Sequence, residues 1–541
     1  MDSNFFKITF ILFIVSFLAS CSSKTDSSAT SNTSNFISDP RIDSILSVMT
    51  LDEKVGQLNQ YSIGTEATGP GAKDDKNQLR YEQLKSGQVG SVLNLLGAKN
   101  AREAQELVVN NSRLGIPMIF AYDVIHGYKT MFPIPLAESA SWDLELMEKT
   151  AAVAAKESAA AGLQWTFAPM IDVSREPRLG RVMEGAGEDT YLGTQIALAR
   201  VRGLQGDDLS DINTIAACAK HFAGYGFSEG GRDYNNVYMG KHQLLNTVIP
   251  PFKAVSTAGV ATFMNAFNDI DGIPSTANEY LLRDLLKGEW GYQGAVLSDW
   301  NSIGELVTHG VARNEREAAF LALNAGSDID MESLSYIENL KELAEEGALD
   351  MGVLDEAVGR VLKLKNDLGL LDDPYKYFNE EREAEVLLHK DHLALAHEAA
   401  RKSIVLLKNE NNLLPLKAKR IAVIGPLAKD KDSPIGNWRA QGEANSAISL
   451  YEGLVAALPE ATLTYAEGCK LSIGRNSFAH EVEIEEEDRS GFAEAIAAAR
   501  SSEVVVMNLG EPGYMSGEAK SRANRFARLT IGDTKRDLQG E

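Results

Sequence analysis

From Ile42 to Leu371, short apolar runs alternate with amphipathic helical patterns, and that alternation leaves few folds open. The strand-like runs are 89–95, 118–123, 165–171, 215–221, 260–267, 295–299 and 328–331. Between them, residues 101–110, 144–161, 278–287 and 315–325 carry apolar side chains at helical spacing. Strands alternating with helices build right-handed βαβ units around a parallel sheet. Repeated this often in one stretch, they fit an α/β fold of the (β/α)8 TIM-barrel type better than an open sheet, and such a barrel uses about 250 residues. The chain has 541 residues, and at about 100–200 residues per domain it has room for more than a barrel.

The punctuation of the sequence suggests where the barrel stops. A helix over 355–368 closes on Gly369, a residue suited to a helix C-terminal cap. A charged connector with Pro374 follows, so the chain is expected to divide into a barrel over 39–371, a linker over 372–400 and a second α/β sandwich domain over 401–541. That second domain opens with strand-like runs at 404–407 and 421–424, followed by a helix over 492–499 and a strand over 504–509. Its acidic run 481–488 reads as a solvated loop.

The N-terminus is not read as part of the fold. Lys7 precedes an apolar run from Ile8 to Leu18, too short to span a bilayer as a mature helix. Leu18-Ala19-Ser20-Cys21 ends the run, and a tract rich in Ser, Thr and Asn follows. This resembles a bacterial lipoprotein signal over 1–20, with Cys21 as the lipidated N-terminus and 21–38 as a flexible tether. The protein is then expected to be exported and membrane-anchored, periplasmic or at the cell surface, touching the membrane only through its lipid. Cys218 and Cys469 lie in apolar stretches and read as buried free thiols. His389, His392 and His397 cluster on a charged helical pattern that reads as solvated surface. Lys+Arg total 53 against Asp+Glu 76, a net charge of −23. That excludes nucleic acid as a main partner, because phosphate binding needs a basic face.

Charged residues close the apolar runs. Asp123, Asp172, Lys220-His221, Asp299 and Asp330 each stand at such an end. In a barrel those ends converge on the face where active sites are built. Gly224-Tyr225-Gly226 and Gly230-Gly231 lack the sequence context of a phosphate-cradling loop. Carboxylates beside aromatic platforms suit sugar chemistry, which needs one ionised carboxylate and one protonated carboxylic acid. Lys220 alone is also compatible with a Schiff-base lysine.

Five segments, taken in order, resemble the family-3 glycoside hydrolases, and within them the bacterial periplasmic β-glucosidases. They are Tyr122-Asp123-Val124-Ile125-His126-Gly127, then Pro177 to Asp189 with Arg181 and Glu184, then Lys220-His221-Phe222-Ala223-Gly224-Tyr225-Gly226. Gly291 to Trp300, with Ser298-Asp299-Trp300, and Ser516-Gly517-Glu518-Ala519-Lys520-Ser521-Arg522 complete the set. The resemblance covers 39–524 and implies a retaining exo-acting β-glycosidase that releases terminal glucose from oligosaccharides or glucosides, without metal or cofactor.

On that resemblance Asp299 is the nucleophile and Glu518 the acid/base, with Glu511 as a competitor for the second role. Asp123, Arg181, Lys220 and His221 hold the hydroxyls of the terminal sugar. Met264 and Phe267 line the pocket; family members often carry Tyr where Phe267 stands, so its phenol hydrogen bond is lost here. Arg232 approaches the sugar, and Trp300 and Trp438 flank the leaving-group site. Asp328 and Asp330 fix loops. A β-N-acetylglucosaminidase of the same superfamily is rejected, since Ala223 and Tyr225 replace its Pro and His. A β-xylosidase and a catalytically impaired sugar-binding lipoprotein are the alternatives. After Asn524 the family pattern gives way to a short polar, basic tail, so the second domain is expected to be truncated, exposing an unpaired sheet edge and leaving the Glu518 loop with little support.

Overall fold

The computed structural model describes residues 36–37, 39–63, 77–474 and 482–518. Residues 1–20, expected to be a signal, Cys21, most of the expected tether and residues 519–541 lie outside them.

Eight parallel strands form the first part. They are β1 (Asn59–Ser62), β2 (Ser91–Leu93), β3 (Ile119–Tyr122), β4 (Trp165–Thr166), β5 (Cys218–Phe222), β6 (Thr262–Asn265), β7 (Ala295–Leu297) and β8 (Asp330–Met331). Pairing runs β8–β1–β2–β3–β4 and β5–β6–β7. Single bridges, Trp165 to Ala216, Met170 to Lys220 and Leu297 to Ile329, join the two sheets into a ring. All seven predicted runs overlap a strand of this ring, the run 215–221 stopping one residue short of the end of β5. The eighth strand, β1, was not predicted: Asn59-Gln60-Tyr61-Ser62 carries no apolar alternation, yet all four residues are buried.

Large side chains fill the interior, and the fully buried Trp165 donates from its indole to Thr262 Oγ1 at 2.9 Å. The surrounding helices start where the sequence offers a cap. Asp143 caps Leu144–Ala160, Asp189 caps Thr190–Gln205 and Asn314 caps Glu315–Ala325, each accepting a backbone N–H of the first turn. Asp350 does the same for Met351–Asp367, which is why that helix begins before 355. Gly369 follows its end at φ +71°, as expected of a left-handed cap.

Residues 372–400 are not extended. Helices Glu380–Val386 and Lys390–Lys402 pack back onto the barrel. His392, read as solvated surface, is instead buried, with Nδ1 2.9 Å from Glu157. The periodicity missed it because its partner lies 235 residues away. His389 and His397 are exposed as expected. Cys218 is buried and free; Cys469 is free but only partly buried.

Beyond this, β9 (Arg420–Ile424) lies between β10 (Thr462–Ala466) and β11 (Val504–Met507), all parallel. Helices Leu450–Ala457 and Phe492–Ser501 accompany them. The run 404–407 is not a strand: no described strand pairs with it, and Leu407 is 93% exposed. Apolar residues cannot make a strand without a neighbour for their backbone groups. Within 481–488, Glu483–Ile484 pairs briefly with Ser472–Ile473 and is otherwise exposed.

Candidate active site

The predicted strand ends meet at one mouth of the barrel. Asp123 follows β3 directly, Lys220 and His221 lie in β5, and Asp299 stands two residues past Leu297, the end of β7. Lys220 Nζ lies 3.2 Å from Asp123 Oδ1, with both side chains buried. Burial pushes the Asp123 carboxyl up, and Lys220 opposes the rise. Burial also works against the Lys220 ammonium, but Asp123 and Glu184 outweigh it and its pKa ends above the usual value.

His221 packs its imidazole between two carboxylates. Nδ1 is 3.0 Å from Asp172 Oδ2, and Nε2 is 3.6 Å from Asp299 Oδ2. Burial, reinforced by Arg181 and Lys220, holds the ring well below its ordinary pKa, so it is neutral. Asp299 Oδ1 accepts the backbone N–H of Trp300 at 2.7 Å, while Oδ2 is buried with no hydrogen bond among the described residues. Burial raises Asp299 to about 6 against the opposing pull of Arg181 and Lys220.

Arg181 ties the mouth to the second α/β unit. Its Nε and Nη2 donate to Glu184 at 2.7 and 3.1 Å, and the pair is buried rather than a surface bridge. Its Nη1 lies 3.2 Å from Glu518 Oε1. The Glu518 loop descends from the second unit and is held at several points. Gly517 N donates to Gly180 O at 2.8 Å, and Asn437 Nδ2 donates to Ser516 O. Asn437 O in turn lies 2.6 Å from His126 Nε2, in the first of the five motifs. Burial raises Glu518 to about 8; Arg181 opposes the shift, and Asp299 adds to it.

Asp123, Arg181, Lys220, Met264, Asp299, Trp300, Trp438 and Glu518 line one pocket. Trp438 is buried, its ring 5.7 Å from Lys220 Nζ and 5.9 Å from Arg181. Phe267 lies behind the wall, its ring 4.6 Å from that of Tyr234. Arg232 is exposed and is not brought into the pocket; nor is the exposed Glu511. Asp328 and Asp330 fix loops: Asp328 binds Lys287 Nζ at 2.6 Å and Val296 N at 2.8 Å, and Asp330 binds Ser333 and Tyr336 N.

The structure adds groups that sequence reasoning passed over. Leu93, Asn94, Phe167 and Met331 complete the lining. Tyr234 Oη donates to Glu518 Oε1 at 2.9 Å, and Tyr225 Oη donates to Asp233. Asp233 directly follows Arg232, but nothing in the sequence pairs that loop with residue 518. Glu305, buried six positions after Asp299, is raised well above the carboxylate range by burial and by Asp299, Glu518 and Asp233.

A TIM-like barrel whose mouth gathers two perturbed carboxyls, buried cations and tryptophans defines a glycosidase-type site. The chain belongs to glycosyl hydrolase family 3: the family's N terminal domain matches residues 50–364 and its C-terminal domain matches 404–537. The second match runs past Asn524, so the likeness extends further than the sequence motifs indicated. The chain is 39% identical to a periplasmic beta-glucosidase of Salmonella typhimurium, over 92% of this chain and 65% of that protein. It is 36% identical to a beta-xylosidase of Formosa agariphila, over 76% of this chain and 59% of that one. The crystal structure of a beta-glucosidase from Listeria innocua in complex with glucose superposes with a TM-score of 0.80 at 39% identity, covering 89% of this chain and 65% of that chain. The chain thus spans just under two thirds of the length of these relatives.

Proposed function

We propose that this protein is a retaining exo-β-glycosidase that releases terminal β-D-glucose from gluco-oligosaccharides or glucosides. The observation that carries the reading is that Asp299 and Glu518 line one pocket, where burial raises both carboxyls, Glu518 the further. With values of about 6 and about 8, Asp299 is mostly ionised and Glu518 mostly protonated at pH 7. A retaining glycosidase needs those two states from carboxyls about 5–5.5 Å apart.

Asp299 Oδ2, the oxygen without a hydrogen bond, attacks the anomeric carbon as the bond to the leaving oxygen breaks. Glu518 gives that oxygen its proton. A water then loses a proton to Glu518 while its oxygen displaces Asp299 from the anomeric carbon, restoring both groups with net retention. Asp123, Arg181, Lys220 and His221 hold the hydroxyls of the sugar; the first three are charged groups that make strong hydrogen bonds in a dry site, and the neutral His221 ring adds its own. Met264, Phe267, Trp300 and Trp438 shape the pocket around its apolar faces. Nothing in the position of Arg232 supports a role for it at the sugar.

The relatives' names support glucosides first. A β-xyloside specificity is the second reading, favoured by the beta-xylosidase relative. Residues 39–371 form the catalytic barrel in this assignment, 372–400 its linker and 401–541 the acid-bearing domain. Export, in keeping with a periplasmic relative, and anchoring through Cys21 complete the proposal. Proton NMR of aryl β-glucoside hydrolysis tests it: the first-formed sugar is β-glucose. Glucose binding without turnover would leave only a sugar-binding protein.

A further inference from the structure

Tyr234 stands in a barrel loop between Glu229 and Asn236, whose backbones are joined by a 2.9 Å hydrogen bond. Its φ is +65°, an uncommon conformation for a bulky residue, one that surrounding contacts must impose. Those contacts are visible. Asp233 Oδ1 accepts from Tyr234 N at 3.2 Å and also takes the Tyr225 hydroxyl, while Asn235 Nδ2 donates to Asp233 O. The Tyr234 ring packs edge-on against Phe267. All of this aims one hydroxyl of the barrel at the second unit, where it donates to Glu518 Oε1 at 2.9 Å.

The same Oε1 has Arg181 Nη1 at 3.2 Å. A guanidinium has donors only, and the phenol already spends its proton on Oε1. The phenol's hydrogen bond and the Arg181 positive charge therefore fall on the same oxygen of the carboxyl, and a proton carried by Glu518 belongs on the other.

We propose that Tyr234 is a positioning residue for the acid/base: its hydroxyl holds Glu518 by Oε1, the oxygen that also faces the Arg181 charge, so that the transferable proton resides on Oε2. This rests on the assignment of Glu518 as acid/base. When the leaving oxygen takes the proton from Oε2, negative charge develops on a carboxylate whose Oε1 already faces the Tyr234 hydroxyl and the Arg181 charge, so no reorganisation is required. In the second half-reaction the proton of water returns to Oε2. Tyr234 stays a donor throughout, since burial and the neighbouring Glu518 and Asp233 carboxyls hold its phenol well above its ordinary range. Glu518 is also faced by Asp299, Asp233, Glu184, Glu305, Tyr225 and Arg181. None of these is altered by removing the phenol oxygen.

Tyr234→Phe keeps the ring and deletes the hydroxyl. The test compares an alkyl β-glucoside, whose leaving group needs protonation, with a dinitrophenyl β-glucoside, whose leaving group does not. The expected result is a loss of about tenfold or more in kcat/KM on the alkyl substrate and little change on the activated one. The alkaline limb of the pH profile moves up by about half a unit, because the carboxylate has lost a donor. Equal losses on both substrates, or an unmoved limb, would reduce Tyr234 to packing and overturn the inference. If the Phe variant does not fold, 3-fluorotyrosine at 234 provides a stronger donor of nearly the same shape, and the limb must then move down; no movement also overturns it. Wild type and Glu518→Gln run in parallel. Absence of turnover by wild type refutes the hydrolase assignment and this inference with it. Loss on the alkyl substrate in Glu518→Gln but not in Tyr234→Phe refutes only the role of Tyr234.

Discussion

The two carboxyls at the barrel mouth are held in different ways. Asp299 stands two residues past the end of β7, and β7 is hydrogen-bonded to β6 on one side and bridged to Ile329 on the other. Closure of the ring fixes its position. Glu518 lies in a loop that leaves β11 at Met507, which among the described residues is the edge strand of a three-stranded sheet, with Val505 and Met507 exposed. Its position depends on the links to Gly180, Asn437, Arg181 and Tyr234. One residue is placed by a strand ladder, the other by contacts that cross between two units. An arrangement of this kind can lose Glu518 while the barrel side of the pocket survives.

Removing the strand-borne group should have the largest effect. Asp299→Asn is expected to lower kcat by roughly 10⁴-fold, the scale on which loss of one member of a catalytic unit acts. Glucose binding, followed by calorimetry, should persist, because Asp123, Lys220 and Arg181 are untouched. Next comes the loop. Gly517 has φ +114°, and a Cβ there would lie 2.1 Å from Asn437 Nδ2. Gly517→Ala should therefore displace Glu518 and cost about a hundredfold in activity, with the thermal midpoint of the barrel unchanged. A matching loss of barrel stability would show that the two units are not separable in this way.

The pH profile sharpens the comparison further. Activity requires Asp299 ionised and Glu518 protonated, so kcat/KM should fall below about 6 and above about 8. Each limb falls about tenfold per unit, and the two apparent values belong to the coupled pair. The smallest effect is expected at the edge strand. Val505→Thr, at a position 41% exposed, should change stability by no more than about 0.5 kcal/mol and leave activity unaltered. A large loss of activity there would tie the Glu518 loop to that edge.

Most of the barrel could be read from the chain because its strands are short, apolar and capped by charge. β1 could not, since Asn59, Gln60 and Ser62 are polar residues buried by hydrogen bonds to partners far away in sequence: Gln60 Nε2 bonds Ser91 Oγ, and Ser62 Oγ accepts from Asn94. The run 404–407 erred in the opposite direction. Its composition suits a strand, but a strand exists only where a neighbour offers backbone partners. His392 was misjudged because burial depends on what covers a residue, here the Glu157 side of helix Leu144–Ala160.

Residue types at strand ends, readable along one dimension, determined that this chain would gather Asp123, Lys220, His221 and Asp299 at one barrel mouth, because a closed parallel sheet sends every C-terminal strand end to the same face. Only the tertiary structure decided that Glu518 rather than Glu511 reaches them, that Arg232 stays outside and that the Tyr234 hydroxyl binds Glu518. Those outcomes depend on hydrogen bonds between residues hundreds of positions apart, and on burial that shifts two similar carboxyls to about 6 and about 8. Local pattern cannot encode a distance that exists only after the chain has closed on itself.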